Sequence, residues 1–275
     1  MSFTNTPITV IKQAYSPANK LISFADTNAL LDYCDQFQRP FIHFWTTDQP
    51  TLILGINDRH LPNLTAGLQN LTANKYDYFL RNSGGLAVIS DPGVLNISLF
   101  IPDADRKLDV DDSYDIIADL MMATFPTLSI QTFEVTHSYC PGKYDLSVNG
   151  QKIAGIAQRR SKGAVVLMLY LSVEGDQDAR SNVVSEFYQA GDAYSQTRWA
   201  FPKVDKTTMT TVEKIGFPNI DLLTVEQHFL KSVSQQMMSL DLDSQAQLFR
   251  SDTFIDLRKK QLRKIQLRNQ QLPLI

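Results

Sequence analysis

The sequence predicts an α+β fold: a mixed sheet with flanking helices and a helical C-terminal portion from about 221 to 275. Three observations carry this. Apolar runs of strand length, at 41–45, 94–101 and 163–173, are interspersed with segments whose apolar residues recur at helical spacing. Short turn signals, Asp91-Pro92-Gly93 and Asn149-Gly150, join neighbouring strand candidates as hairpins. Beyond residue 225 the remaining long segments read as helices, and no internal repeat or low-complexity linker interrupts the chain.

The elements follow in order. Residues 1–20 read as an irregular lead-in with one strand at 8–11. Asp26, Thr27 and Asn28 offer caps for a helix over 29–37, which Pro40 ends. Residues 41–45 read as a strand, and 51–55 as its partner across the turn Thr47-Asp48-Gln49-Pro50. Leu64, Leu68 and Leu71 place a helix over 64–74, and 76–80 returns to strand. Then comes Arg81-Asn82-Ser83-Gly84-Gly85-Leu86-Ala87-Val88. Paired glycines serve simple turns, and they also let a backbone approach a ligand and offer its amides to a carbonyl or phosphate oxygen.

A strand over 94–101 carries Asn96. A helix over 111–125 is capped by Asp111, Asp112 and Ser113, with Ile116, Ile117, Leu120 and Met121 on its apolar face. Asn149-Gly150 joins segments 144–148 and 151–158 into a hairpin, with Cys140 entering the first strand and Lys152 starting the second. The nearly continuous apolar run 163–173 suits a central strand buried on both faces. A helix over 182–190 ends at Gly191, and 195–220 reads as loop with short elements. Helices over 225–240 and 245–272 complete the chain, the last bearing Arg258, Lys259, Lys260, Arg263, Lys264 and Arg268.

Composition narrows the function classes. The 275 residues carry a net charge of −3, without the basic excess of a general nucleic-acid binder. No apolar run approaches the roughly 18 residues a membrane span needs, and the N-terminus lacks a signal-peptide apolar core, so the expected compartment is the cytoplasm. The two cysteines, Cys34 and Cys140, are then free thiols, with Cys34 a small buried hydrophobe on its helix. His43, His60, His137 and His228 have no metal-ligand spacing, so no metal site is expected. Neither a phosphate-binding loop ending in Gly-Lys-Ser/Thr nor a dinucleotide glycine fingerprint is present.

The chemistry concentrates between Ser138 and Arg160. Cys140 precedes the turn pair Pro141-Gly142, which could expose its sulfur, and Lys152 on the neighbouring strand would favour the thiolate. A buried cysteine at a strand start fits the spacing equally well. His137, three residues before, is a general-base candidate or a solvated loop histidine. Arg159, Arg160 and Lys162 form a small basic cluster, either a solvated edge or a contact for an anion. The basic C-terminal helix is either a solvated face or a docking surface for an acidic partner.

Two motifs carry a family resemblance. Arg81 to Val88, followed by Gly93-Val94-Leu95-Asn96, resembles the glycine-loop motif of the biotin/lipoate protein ligase and octanoyltransferase superfamily. Gly150-Gln151-Lys152-Ile153-Ala154-Gly155-Ile156-Ala157-Gln158-Arg159 is similar to its lysine motif. The likeness runs from about 45 to 191. Ser138-Tyr139-Cys140-Pro141-Gly142, with Tyr144-Asp145-Leu146-Ser147, looks most like the octanoyl-[glycine cleavage H protein]:protein N-octanoyltransferases. Ligases of the superfamily usually show His-Gly on the strand after the lysine, where this chain reads Val166 to Tyr170. A second arginine before the glycine loop is replaced by Leu80.

The resemblance implies a biotinyl-lipoyl protein ligase catalytic fold, akin to the core of class II aminoacyl-tRNA synthetases, with 1–275 as one acyltransferase domain. It implies catalytic roles for Cys140, as the nucleophile forming an acyl-thioester, and for Lys152, as the group holding the acyl carbonyl. Arg81, Ser83, Gly84, Gly85, Asn96 and Gly155 would bind substrate. The implied reaction moves an octanoyl or lipoyl group from glycine cleavage H protein to the lipoyl domains of 2-oxoacid dehydrogenase E2 subunits, with no cofactor. The alternatives are an octanoyl-acyl-carrier-protein transferase, an ATP-dependent lipoate ligase, and a non-catalytic lipoate- or lipoyl-domain-binding protein. Alternation suggests an acyl tunnel lined by Leu86, Val88, Ile97 and Ile156.

Overall fold

A computed structural model of the chain describes residues 6–105, 108–195, 197–236 and 239–275. The elements run β1 (Ile8–Tyr15), α1 (Lys20–Phe37), β2 (Phe41–Thr47), β3 (Thr51–Leu54), α2 (Leu64–Ala73), β4 (Asp77–Leu80), β5 (Val88–Ser90), β6 (Val94–Pro102), α3 (Val110–Thr124), β7 (Gln131–Thr132), β8 (Leu146–Val148), β9 (Gln151–Arg160), β10 (Ala164–Ser172), α4 (Gln177–Ala190), α5 (Val212–Ile215), α6 (Leu222–Gln236), β11 (Leu240–Asp241), α7 (Gln245–Arg250) and α8 (Asp252–Asn269). Residues 1–5 of the expected lead-in, 196 of the expected loop and 237–238 of the expected helix lie outside the described residues.

Among the described residues the strands form two sheets. The larger has the order β11-β1-β2-β6-β10-β9-β8-β7 and is mixed: β1 runs parallel to β11 and β2, and the remaining pairs are antiparallel. Its centre is the pair β6–β10, in register at Leu99↔Leu167. All nine residues of β6 are buried, as are all of β10 but Met168. Period-two alternation sends neighbours to opposite faces. Leu95, Ile97 and Leu99 pack with α3 and α6 through Ile117, Met121, Val225 and Phe229. Phe41, Phe100 and Val166 pack on the other side with Leu30, Leu31 and Cys34 of α1 and Phe254 of α8. Burial raises the Cys34 thiol far above its ordinary range.

The smaller sheet, β4-β3-β5, corrects one strand pairing. β3 pairs with β4 and β5, not with β2: its Leu52 and Leu54 face a separate core, while Ile53 faces Phe24 and Trp45. Leu52 and Leu54 pack there with Leu68 and Leu71 of α2 and Val184, Phe187 and Tyr188 of α4. The glycine loop bridges β4 and β5, so it hangs from this sheet over the larger one.

Two helix expectations are also corrected. α1 begins at Lys20 rather than at 29, and the proposed caps lie buried inside it. Long-range partners make polar side chains tolerable there: Asp26 receives bonds from Tyr15 (2.8 Å) and pairs with Arg258 (2.6 Å), while Thr27 bonds back to Ser23 (2.9 Å). The last segment is two helices, because Ser251 caps α8 by accepting from the Phe254 amide at 3.3 Å. Lys259, Lys260, Arg263 and Lys264 form its exposed face. At its end the Asn269 side chain accepts from the Leu80 amide (2.8 Å) and donates to the Leu80 carbonyl (2.9 Å). That occupies the outer edge of β4 just before the glycine loop. No helix among the described residues is long and apolar enough to cross a membrane.

Candidate active site

The two sheets and the glycine loop enclose a cavity of about 330 Å³. All eight residues singled out from the sequence line it: Arg81, Ser83, Gly84, Gly85, Asn96, Cys140, Lys152 and Gly155. The far wall is apolar, with Phe24, Trp45 and Ile53. Phe24 and Trp45 meet edge to face at 5.8 Å. Val88 and Ile156 of the expected tunnel also line the cavity. Ile97 does not. Its neighbours Asn96 and Ser98 take the cavity side of β6, so period two turns Ile97 into the core beneath α3 and α6. Leu86 meets the cavity's chemistry through its backbone instead.

Cys140 does not enter the hairpin strand. It sits in the loop between β7 and β8 with φ 48°, a left-handed conformation strained for a side-chain-bearing residue. Asp145 holds that loop. Its Oδ2 accepts from the amides of Gly142 (3.1 Å) and Val135 (3.3 Å), and its Oδ1 pairs with Lys152 Nζ at 2.9 Å. Lys152 is only 2 % exposed, and it also donates to the carbonyls of Cys140 (2.9 Å) and Tyr139 (3.1 Å). A Cβ on Gly155 would lie in ordinary contact with the Lys152 stem, 3.4 Å from its Cε, so Gly155 borders the lysine directly. Lys152 comes directly off the turn of Asn149 and Gly150, whose φ values of 51° and 81° match a tight primed hairpin turn.

The expected pairing of ammonium with sulfur is therefore corrected. Lys152 grips the backbone under Cys140, while the sulfur meets the glycine loop. The Leu86 amide donates to Sγ at 3.4 Å, and Arg81 Nη2 lies at 3.8 Å. Arg81 Nη2 also donates to the carbonyls of Gly84 (3.0 Å) and Leu86 (3.1 Å), so the loop curls around its own guanidinium. Asn96 Nδ2 donates to Ser90 Oγ at 3.2 Å and to the Trp45 carbonyl at 3.4 Å. The Ser83 carbonyl accepts from the Ile56 amide at 3.4 Å.

Other sequence candidates fall elsewhere. His137 is exposed, with Nδ1 3.1 Å from the Lys203 carbonyl. Arg159 bonds Asn28. Arg160 reaches the carbonyls of Leu108 (2.6 Å) and Asp109 (2.8 Å), tying β9 to the start of α3. Both of these arginines thus have protein partners, and neither is a merely solvated edge. No cluster of three or more potential metal ligands occurs among the described residues. Asp145 was missed from sequence. Its only signal is a carboxylate placed just before the hairpin strand that faces Lys152.

One close contact gives a direct test of the loop's placement. A Cβ on Gly55 would lie 2.1 Å from the Gly85 carbonyl oxygen. Gly55→Ala is expected to push the glycine loop off Cys140, lower stability by about 1–3 kcal/mol and slow turnover. Thermal unfolding and a steady-state rate measure both. Unchanged turnover would mean that the loop's position does not matter.

The chain matches the family model described as lipoyl protein ligase A/B catalytic domain over residues 19–234. The chain belongs to the lipoyl protein ligase A/B catalytic domain family. The family match spans α1 to α6 and therefore the entire cavity, whereas α7 and α8 lie outside it. Within the family, the chain is 36% identical over 230 residues to an octanoyl-[GcvH]:protein N-octanoyltransferase of Oceanobacillus iheyensis, covering 82% of each chain. It is 39% identical over 176 residues, 63% of each chain, to a lipoyl-[GcvH]:protein N-lipoyltransferase of Listeria monocytogenes. A solved lipoate-protein ligase A bound with ATP superposes with TM-score 0.71 at 17% identity, covering 94% of this chain and 95% of that one, a likeness of fold.

Proposed function

We propose that this acyltransferase of protein lipoylation works through a thioester on Cys140. It takes an octanoyl or lipoyl group from the modified lysine of glycine cleavage H protein and delivers it to a lysine on E2 lipoyl domains. The observation that carries the reading is the placement of the Cys140 sulfur, at the polar end of an apolar-walled cavity and against a backbone amide.

The steps balance without ATP. The sulfur attacks the carbonyl carbon of the donor amide, forming C–S and a tetrahedral oxyanion. The C–N bond then breaks, and the proton that left the thiol is the one the departing lysine amine requires. In the second half the acceptor lysine amine attacks the thioester, C–N forms, C–S breaks and the thiol is restored. One amide replaces another, so no cofactor enters. The Leu86 amide and Arg81 lie within reach of the sulfur and would meet negative charge there and on the oxyanion formed beside it. The apolar wall accommodates the acyl chain. Lys152 acts from below, holding the Cys140 carbonyl and the left-handed turn. The setting we propose is the cytoplasm.

The test is intact-protein mass spectrometry of the chain mixed with octanoylated H protein and no ATP. One hydroxylamine-labile octanoyl adduct is the expected result. An adduct only from octanoyl acyl carrier protein would move the donor assignment. Product only from lipoate with ATP would make the chain a ligase.

A further inference from the structure

Behind the glycine loop lies a buried polar relay that the reaction as drawn leaves unused. Tyr188, on α4, is fully buried. Its hydroxyl accepts from the Ala87 amide at 3.2 Å and donates to Asp58 Oδ1 at 2.9 Å. Asp58 is fully buried too, in the turn after β3, and its Oδ2 accepts from the Gly55 amide at 2.8 Å. Gly55 in turn backs directly on the Gly85 carbonyl. Burial pushes the Asp58 carboxyl up to about 7 against the opposing effect of its Tyr188 and Gly55 hydrogen bonds and the Arg81 charge. Burying a carboxyl group is costly unless it is hydrogen-bonded, and the Tyr188 and Gly55 donors offset that cost here.

We infer that Tyr188 and Asp58 are positioning residues for acyl transfer: they hold the glycine loop so that the Leu86 amide stays aimed at the Cys140 sulfur. The geometry follows the chain. Leu86 sends its N–H to Sγ at 3.4 Å and gives its carbonyl to Arg81 at 3.1 Å. The next amide, of Ala87, turns the opposite way and is the one Tyr188 accepts. The peptide between Leu86 and Ala87 is therefore clamped from both sides. Asp58 fixes the hydroxyl that holds one side and, through Gly55, the strand end that backs Gly85. A phenylalanine at 188 would fill the same space, so packing alone does not account for the hydroxyl. An amide held on the sulfur also lies beside the oxyanion formed when that sulfur attacks a carbonyl, where fixed donors act most strongly.

This inference rests on Cys140 as the nucleophile, and its test separates the two. Iodoacetamide alkylation of Cys140, followed by mass from about pH 5 to about 10, needs no acyl donor. Cys34 does not compete, being fully buried. Octanoyl transfer from H protein and thermal unfolding are measured alongside. In Tyr188→Phe the alkylation profile is expected to move to higher pH, and kcat to fall about tenfold with KM for the donor protein unchanged. Asp58→Asn, which keeps an acceptor for the Gly55 amide, is expected to give a smaller shift in the same direction. It carries the test alone should Tyr188→Phe not fold. Profiles and kcat matching the unaltered chain, with only the melting temperature lowered, would overturn the inference and leave the relay as packing. If the unaltered chain takes no octanoyl group from H protein, the donor assignment fails, and the alkylation profiles still decide the relay.

Discussion

Cys140→Ala is expected to abolish the acyl adduct and slow transfer by on the order of 10⁴-fold or more, with little loss of stability. The sulfur is half-buried, and its contacts are one amide at 3.4 Å and one guanidinium nitrogen at 3.8 Å. Removing it opens a small space at a cavity that is already present, so unfolding should change by less than about 1 kcal/mol. Chemistry has no substitute, because the other cysteine is sealed in the core and no histidine among the described residues lines the cavity. Single-turnover transfer from octanoylated H protein, read by mass, measures the effect. Retention of even a tenth of the rate would mean that the acceptor amine attacks the donor amide directly. Full retention of lipoyl-domain binding without any transfer in the unaltered chain would make it a binding protein instead.

Lys152→Met should lose both transfer and a large part of the stability, about 3–5 kcal/mol. Methionine matches the stem, so the cost comes from charge. The Asp145 carboxylate would remain buried, with amides from Gly142 and Val135 but no cation. The pH dependence carries the signature. Burial already raises the Asp145 carboxyl above its ordinary value while Lys152 lowers it. Without the lysine it rises further, so the folded variant binds a proton that the unfolded chain releases. Its stability relative to the unaltered chain must then fall as pH rises through that range. The deficit should be larger at high pH and shrink as the solution is acidified. Adding Asp145→Asn should recover stability at high pH but not transfer. Chemical denaturation of the single and double variants measures this. A deficit independent of pH, or no recovery in the double variant, would mean the ion pair is not what holds the Cys140 loop.

Much of the fold was legible because local signals agreed with it. The apolar run of β10, the turn at Asn149-Gly150 and the helical spacing of Leu64, Leu68 and Leu71 each fall where expected. Polar residues misled where tertiary partners satisfied them. Asp26, Thr27 and Asn28 read as caps, yet Asp26 is paired with Arg258, 232 positions away. β3 read as the partner of β2 because a turn sequence lies between them, but the turn carries the chain into a second sheet.

By itself the sequence determined that the glycine loop and the lysine hairpin would be built. Glycine permissiveness and turn chemistry act over a few residues, whereas the loop's position over Cys140 also depends on Gly55 and Tyr188. It also marked Cys140 and Lys152 as candidates, since nucleophilicity and charge are properties of residue types. Only the tertiary structure decided how those side chains are used. It turned Cys140 out of the hairpin into a left-handed loop, gave its sulfur to the Leu86 amide, and spent the Lys152 charge on Asp145 and two backbone carbonyls. The physical reason is that buried polar groups must find partners, and which partners lie within reach depends on how distant segments pack.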